Sequence, residues 1–128
     1  MIDTIDPAIL SNTIATLATI GRDGGPQMTA VWFLVDGDRI LISAAARRQK
    51  TKNLAANPTC SLLIFHPESN DYYVEFRGAA ELIDDAGYEI ADRVGARYGA
   101  DFRSFDGPND HRLIISITPE RALVTDVR

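Results

Sequence analysis

The sequence has one cysteine, Cys60, and two histidines, His66 and His111, among 128 residues. One thiol cannot form an intramolecular disulfide, and neither histidine has a partner at metal-ligand spacing, so no metal site is expected. No apolar run approaches the ~18 residues of a membrane helix, and no membrane span is expected. The first residues carry Asp3 and Asp6 where a secretory segment would be basic, so the expected location is cytoplasmic. Positive charge is also scarce: 13 Lys and Arg stand against 18 Asp and Glu, a formal net charge of −5. Nucleic acid is therefore not an expected partner, because binding its backbone needs a broad basic surface. Gly-x-Ser-x-Gly, Gly-x-Gly-x-x-Gly, Ser/His/Asp and Cys/His patterns are all missing, and no catalytic side chain is assigned.

What remains is a chain of 45% hydrophobic content and the length of one ordinary domain, read as a single unit over 1–128. Asp6-Pro7 is an N-cap followed by proline at the first helical position, so a short helix to about Ser11 is expected. The period then changes to two. Thr13 to Ile20, Gln27 to Val35 and Arg39 to Ala44 read as strands of an antiparallel meander, joined by turns at 21–25 and 36–38. A helix over about Thr51 to Ala56 ends at Asn57-Pro58, and strands follow over Thr59 to His66 and Tyr72 to Ile83, with Gly78 at a bend or bulge. Asp84-Asp85 is expected to cap a helix to about Tyr98, with Ile90 and Val94 on its buried face and Gly99 after its end. Residues 100–110 read as loop, Leu113 to Ile117 as strand, Pro119-Glu120 as a turn and Ala122 to Val127 as the last strand. Six or seven short strands indicate a small barrel.

The positive charge is concentrated. Arg47, Arg48, Lys50 and Lys52 are four of the 13 basic residues within six positions. They stand at a helix start, where unpaired backbone N–H groups and the helix dipole attract anions, and with Thr51 they compose a compact phosphate site. Gly21 to Gly25 is read as a hairpin rather than a phosphate loop, because strands flank it. Cys60 and both histidines are assigned structural roles, Trp32, Phe33, Tyr72 and Tyr73 packing roles, and Glu81, Asp84 and Asp85 helix capping.

Leu17-Ala18-Thr19-Ile20, Asp23-Gly24, Pro26-Gln27, Lys50-Thr51-Lys52-Asn53-Leu54, Asn57-Pro58 and Val74-Glu75-Phe76-Arg77-Gly78-Ala79-Ala80 together resemble the pyridoxamine-phosphate-oxidase-like split-barrel superfamily, over about residues 10–127. The resemblance implies a mainly β protein: a six-stranded antiparallel Greek-key split β-barrel with short flanking helices. It also implies a homodimer with cofactor at the subunit interface. The phosphate would sit on Arg48, Lys50 and Thr51, and Gln27, Met28, Thr29 and Ser43 would line the ring. The Asp-Gly-x-Pro-Gln hairpin and Arg-x-Lys-Thr-Lys-Asn-Leu are most similar to the branch that binds coenzyme F420, a deazaflavin. That branch implies hydride transfer between the reduced cofactor and a conjugated small-molecule substrate, with Arg47 or Lys52 reaching the acidic tail. FMN on the same fold is the alternative, as is a non-catalytic flavin- or haem-binding relative. The strongly basic C-terminal pattern of a true pyridoxamine phosphate oxidase is missing, so pyridoxamine oxidation is not expected.

Overall fold

The computed structural model describes residues 1–128. A 3-10 turn over Ile2–Thr4 leads into α1 (Pro7–Leu10), where the Asp6 carboxylate accepts from the Ala8 amide at 2.9 Å. The expected proline-after-cap start is thus formed. β1 (Ala15–Ile20) turns through Gly21–Gly25 into β2 (Pro26–Val31). Gly24 sits at φ 84°, a left-handed conformation that favours glycine, and the Gly25 amide is held by the Asp23 carboxylate at 2.9 Å.

β3 (Leu34–Asp36) and β4 (Arg39–Ala45) form the next hairpin, followed by α2 (Gln49–Ala56). β5 (Thr59–His66), β6 (Ser69–Asp84), α3 (Glu89–Tyr98), α4 (Phe102–Phe105) and β7 (Arg112–Asp126) complete the chain. No helix is long and apolar enough to cross a membrane. No group of three His, Cys, Asp or Glu side chains is placed to hold a metal ion.

The strands form one antiparallel sheet in the order β2-β1-β5-β6-β7-β4-β3. Its first and last members are consecutive in sequence, separated only by Trp32-Phe33. Three peptide steps reach at most about 11 Å, so the two edges of the sheet must curl toward each other. The sheet has seven strands, within the six or seven read from the residues and one more than the six that the resemblance implies. The segment read as one strand over 27–35 is two: Ala15 pairs with Val31 on one side of the break, and Leu34 with Leu41 on the other. The physical cause is Phe33, which is fully buried in the core at the point where the chain changes ladder.

Alternation supplies the core. Ala15, Leu17 and Thr19 of β1, Ile40, Ile42 and Ala44 of β4, Leu62 and Ile64 of β5, Val74 and Phe76 of β6, and Ile115 and Ile117 of β7 are buried. Each fully buried large apolar side chain contributes about 1.5–3 kcal/mol relative to exposure. α2 closes one end, packing on β1 and β6 and placing Leu54 in the core. Outside the sheet, Ile90 and Val94 of α3 pack on Leu41 with Trp32, Tyr98 and Phe102 around them.

Other expectations shift. β7 runs unbroken through Pro119-Glu120, which is a bulge and not a turn: Arg77 pairs with Arg121 and Gly78 with Pro119, leaving Glu120 extra. The bend expected at Gly78 is that same irregularity, and a Cβ there would collide with the Thr118 carbonyl. α3 begins at Glu89, four residues later than the capping aspartates suggest. Asp85 still caps it, accepting from the Ala91 amide at 2.9 Å across a turn in which Tyr88 takes φ 59°. Gly99 ends the helix at φ 69° as expected. The stretch read as loop contains α4, capped by Asp101.

Candidate functional site

β2 bonds to β1, and β4 to β3 and β7, so no ladder joins β2 to β4. Between these strands a cleft of about 490 Å3 opens, within the usual range of small-molecule sites. β2 contributes Thr29, the link after it Trp32, β4 contributes Ser43, and the start of α2 contributes Arg48 and Lys50. α4, the residue after it and the first residue of β7 add Phe102, Phe105, Asp106 and Arg112 to the wall.

The cationic end is built by chain direction. Ala45 ends β4, the chain turns, and α2 starts at the cleft rim with Arg48 as its N-cap. Thr51 holds the turn, its buried hydroxyl donating to the Ala45 carbonyl at 3.0 Å. The Gln49 and Lys50 amides donate to no backbone carbonyl, as expected for a first helical turn. Arg48 and Lys50 form no ion pair within the chain, whereas Arg47 is paired with Asp110 at 2.9 Å and Arg112 with Asp106 at 2.8 Å. Burial, then repulsion from Arg48 and Arg112, pulls the Lys50 ammonium below the ordinary lysine range. An anion between these cations would relieve that repulsion.

The opposite end is aromatic. Trp32 stacks on Tyr98 with centroids 4.7 Å apart and meets Phe102 edge-on at 5.9 Å. Beneath them lies a buried pair. The Arg112 fork donates through Nε and Nη2 to the two Asp106 oxygens at 2.8 Å each, and the Tyr88 hydroxyl donates to the same carboxylate at 2.6 Å. The guanidinium also lies over the Phe102 ring at 4.3 Å. Arg112 holds the Asp106 carboxyl below the usual carboxylate range.

Of the seven expected cofactor contacts, Thr29, Ser43, Arg48 and Lys50 line this one cleft. Gln27 does not: its Oε1 accepts from the Asn53 amide at 3.1 Å, tying β2 to α2. Asn53 is buried and also donates to the Thr19 hydroxyl at 3.0 Å. Met28 is 69% exposed on the same outward face of β2 as Ala30, one step beyond the lining. Thr51 supports the rim from behind. Lys52 faces a separate groove with Arg22, Gln49 and Asn57, away from the phosphate pair.

Sequence reasoning missed Asp106, Arg112, Phe102 and Phe105, which lie far from the basic run in a stretch without periodicity. His66 and His111 stay outside the cleft, the first stacked on Tyr72 and the second paired with Asp84. Burial pushes the Cys60 thiol up to about 11, so it is no thiolate at neutral pH.

Residues 1–126 match the family described as Pyridoxamine 5'-phosphate oxidase. The chain belongs to this family. Among solved structures, an F420 reductase is similar at 29% identity and TM-score 0.79, over 91% of this chain and 94% of that one. A conserved hypothetical protein of Mycobacterium tuberculosis is 30% identical at TM-score 0.78, over 95% of this chain and 82% of that one. HutZ, a haem storage protein of Vibrio cholerae, shares the fold at 19% identity and TM-score 0.74, over 96% and 93% of the two chains. The fold of the pyridoxamine 5'-phosphate oxidase family therefore accommodates proteins of different stated roles, and the residues of the cleft must carry the functional argument.

Proposed function

We propose that this protein is a coenzyme F420-dependent oxidoreductase that moves a hydride between the reduced deazaflavin and a conjugated small-molecule substrate. The observation that carries this reading is the pair of cations, Arg48 and Lys50, left without an anionic partner beside the free amides of Gln49 and Lys50. That donor set fits one phosphate group. The likeness to an F420 reductase across nine-tenths of both chains supports the choice of cofactor.

In this reading Arg48 and Lys50 hold the phosphate, and Thr29 and Ser43 border the ring. Thr51 and Gln27 position α2, and Met28 meets the cofactor where a second copy of the chain closes the cleft. When bound, the cofactor supplies the hydride chemistry. The chain's own residues bind, orient and exclude water, and no acid–base side chain is required of them.

FMN is the second reading, and one observation favours it. Arg47 is engaged by Asp110 and Lys52 faces another groove, so no free cation beyond the phosphate pair awaits an acidic tail in the cleft. Fluorescence titration of the purified protein with each cofactor at low salt separates the two. The proposal expects tighter binding of F420, with Arg47 exchanging Asp110 for a tail carboxylate, and a preference that shrinks as salt screens exposed charges. Equal or tighter FMN binding would assign the protein to FMN.

A further inference from the structure

The link between β2 and β3 is held from outside the sheet. Phe33 lies in neither ladder, and its amide and carbonyl bond to no backbone group. The last turn of α3 takes the place of the missing strand. The Phe33 amide donates to the Tyr98 hydroxyl at 3.2 Å, and that hydroxyl donates back to the Phe33 carbonyl at 3.3 Å. Arg97 also donates to the Phe33 carbonyl, and its other terminal nitrogen donates to the Asn12 carbonyl, ahead of β1, at 2.8 Å. The guanidinium lies over the Phe33 ring at 4.7 Å.

The same tyrosine supports the cleft wall. Its ring stacks on Trp32, which is half-buried and lines the cleft, with the two planes 7° apart. Docking of α3 does not require this arrangement, because Ile90 and Val94 already bury the apolar face of the helix on Leu41. A two-residue link without ladder bonds would otherwise be free to hinge and carry Trp32 with it.

We infer that Arg97 and Tyr98 are positioning residues of the cofactor cleft: they lock the link at Phe33 and so hold Trp32 as a fixed wall for the flat ring of the bound cofactor. This rests on the cofactor-binding reading of the cleft above. Neither residue lines the cleft, and both act through Trp32. A side chain that is already immobilised loses little rotamer freedom when a ligand packs on it, so the grip raises affinity without a ligand contact of its own. The cleft then has two separate supports, the start of α2 for the phosphate and the end of α3 for the ring. Tyr98 carries more of the second, because its hydroxyl satisfies both backbone groups of Phe33 and Arg97 only the carbonyl.

The test uses Tyr98→Phe, which removes the hydroxyl and keeps the ring. Trp32 is the single tryptophan of the chain, so its fluorescence anisotropy and its quenching by acrylamide report the link directly. In the cofactor-free variant Trp32 should become more mobile and more readily quenched. F420 and FMN are then titrated in parallel, and whichever the native protein binds should bind the variant roughly two- to tenfold more weakly. Inorganic phosphate, which needs only Arg48 and Lys50, should bind native and variant proteins alike by phosphorus NMR. Arg97→Met should move Trp32 in the same direction, and Arg97→Lys, which keeps one donor, should recover part of the change. Ile90→Val loosens α3 against Leu41 without touching the link, so it should lower the melting temperature and leave Trp32 and cofactor affinity at their native values. An unmoved Trp32 signal or unchanged cofactor affinity in Tyr98→Phe, an equal loss of phosphate affinity, or the same effects in Ile90→Val overturns the inference. The reading beneath it is scored on the native protein: FMN bound in preference to F420 overturns the F420 assignment alone and the positioning effect is read with FMN, whereas binding of neither cofactor overturns both.

Discussion

Lys50 shows how a side chain can be costly to the fold and useful to a ligand. Its ammonium is pulled below the ordinary range by burial and by Arg48 and Arg112, so the folded protein disfavours the charge that an anion would welcome. Lys50→Ala is therefore expected to lower F420 affinity by roughly ten- to a hundredfold, the loss of about 1.5–3 kcal/mol, while the melting temperature holds or rises. The sign with pH follows. Lys50 is charged below its lowered pKa, so affinity should fall as pH rises through that value on the alkaline side, and Lys50→Arg should flatten the fall because arginine stays charged. Fluorescence titration across pH reads both effects; an unchanged affinity in Lys50→Ala with an intact fold would return the basic run to a solvated patch. The run itself was legible in the sequence, but its division was not. Successive helical residues turn by ~100°, so Lys50 and Lys52 point apart, and Arg47 stands before the helix where Asp110 can take it.

At the scale of elements, the period-2 segments and their turn residues disclosed most strands, because alternation and the barrel's inside and outside are the same physical fact. Breaks in that alternation were less visible. Pro119-Glu120 has turn chemistry but is carried by a bulge opposite Gly78, and Trp32-Phe33 has strand chemistry but marks the change of ladder. α4 escaped notice because a four-residue helix shows no period, and its use lies in contacts with distant residues. Asp106 follows α4 and anchors it to β7 through Arg112, both side chains being nearly buried at 5% and 9% exposure. Asp106→Ala would leave the Arg112 charge without its partner, at a cost of about 3 kcal/mol. Because Arg112 depresses the Asp106 pKa, the pair's contribution is present above the unfolded carboxylate value and is lost as pH falls through the folded one. Urea unfolding at pH 7 and near pH 3 should show a drop in the native protein, and Asp106→Asn should lose that pH-dependent part.

The whole molecule carries a net charge of −5, yet its cleft gathers four basic side chains and opens at an unpaired boundary of the sheet. Cross-strand register extends the outward face of β2 over β1 and β5, with Ala30 beside Thr16 and Leu63, and Met28 beside Ala18 and Ser61. Ile14, at 45% exposure, continues the apolar character of this face, and Met28 is the most exposed of the large hydrophobic side chains. Scattered exposed apolar groups need no explanation, but Met28 stands one outward step from Ala30, which lines the cleft. A second copy covering Met28 would therefore border the cofactor site, making dimerisation and binding interdependent. Light scattering is expected to show a dimer. Met28→Lys places a charge in the covered patch without touching the monomer's core, so it should shift the protein toward monomer, leave secondary structure intact and weaken F420 binding in the same concentration range. A native monomer that binds F420 at full affinity would show that one chain completes the site unaided, and a Met28→Lys dimer of unchanged affinity would place the interface on another face.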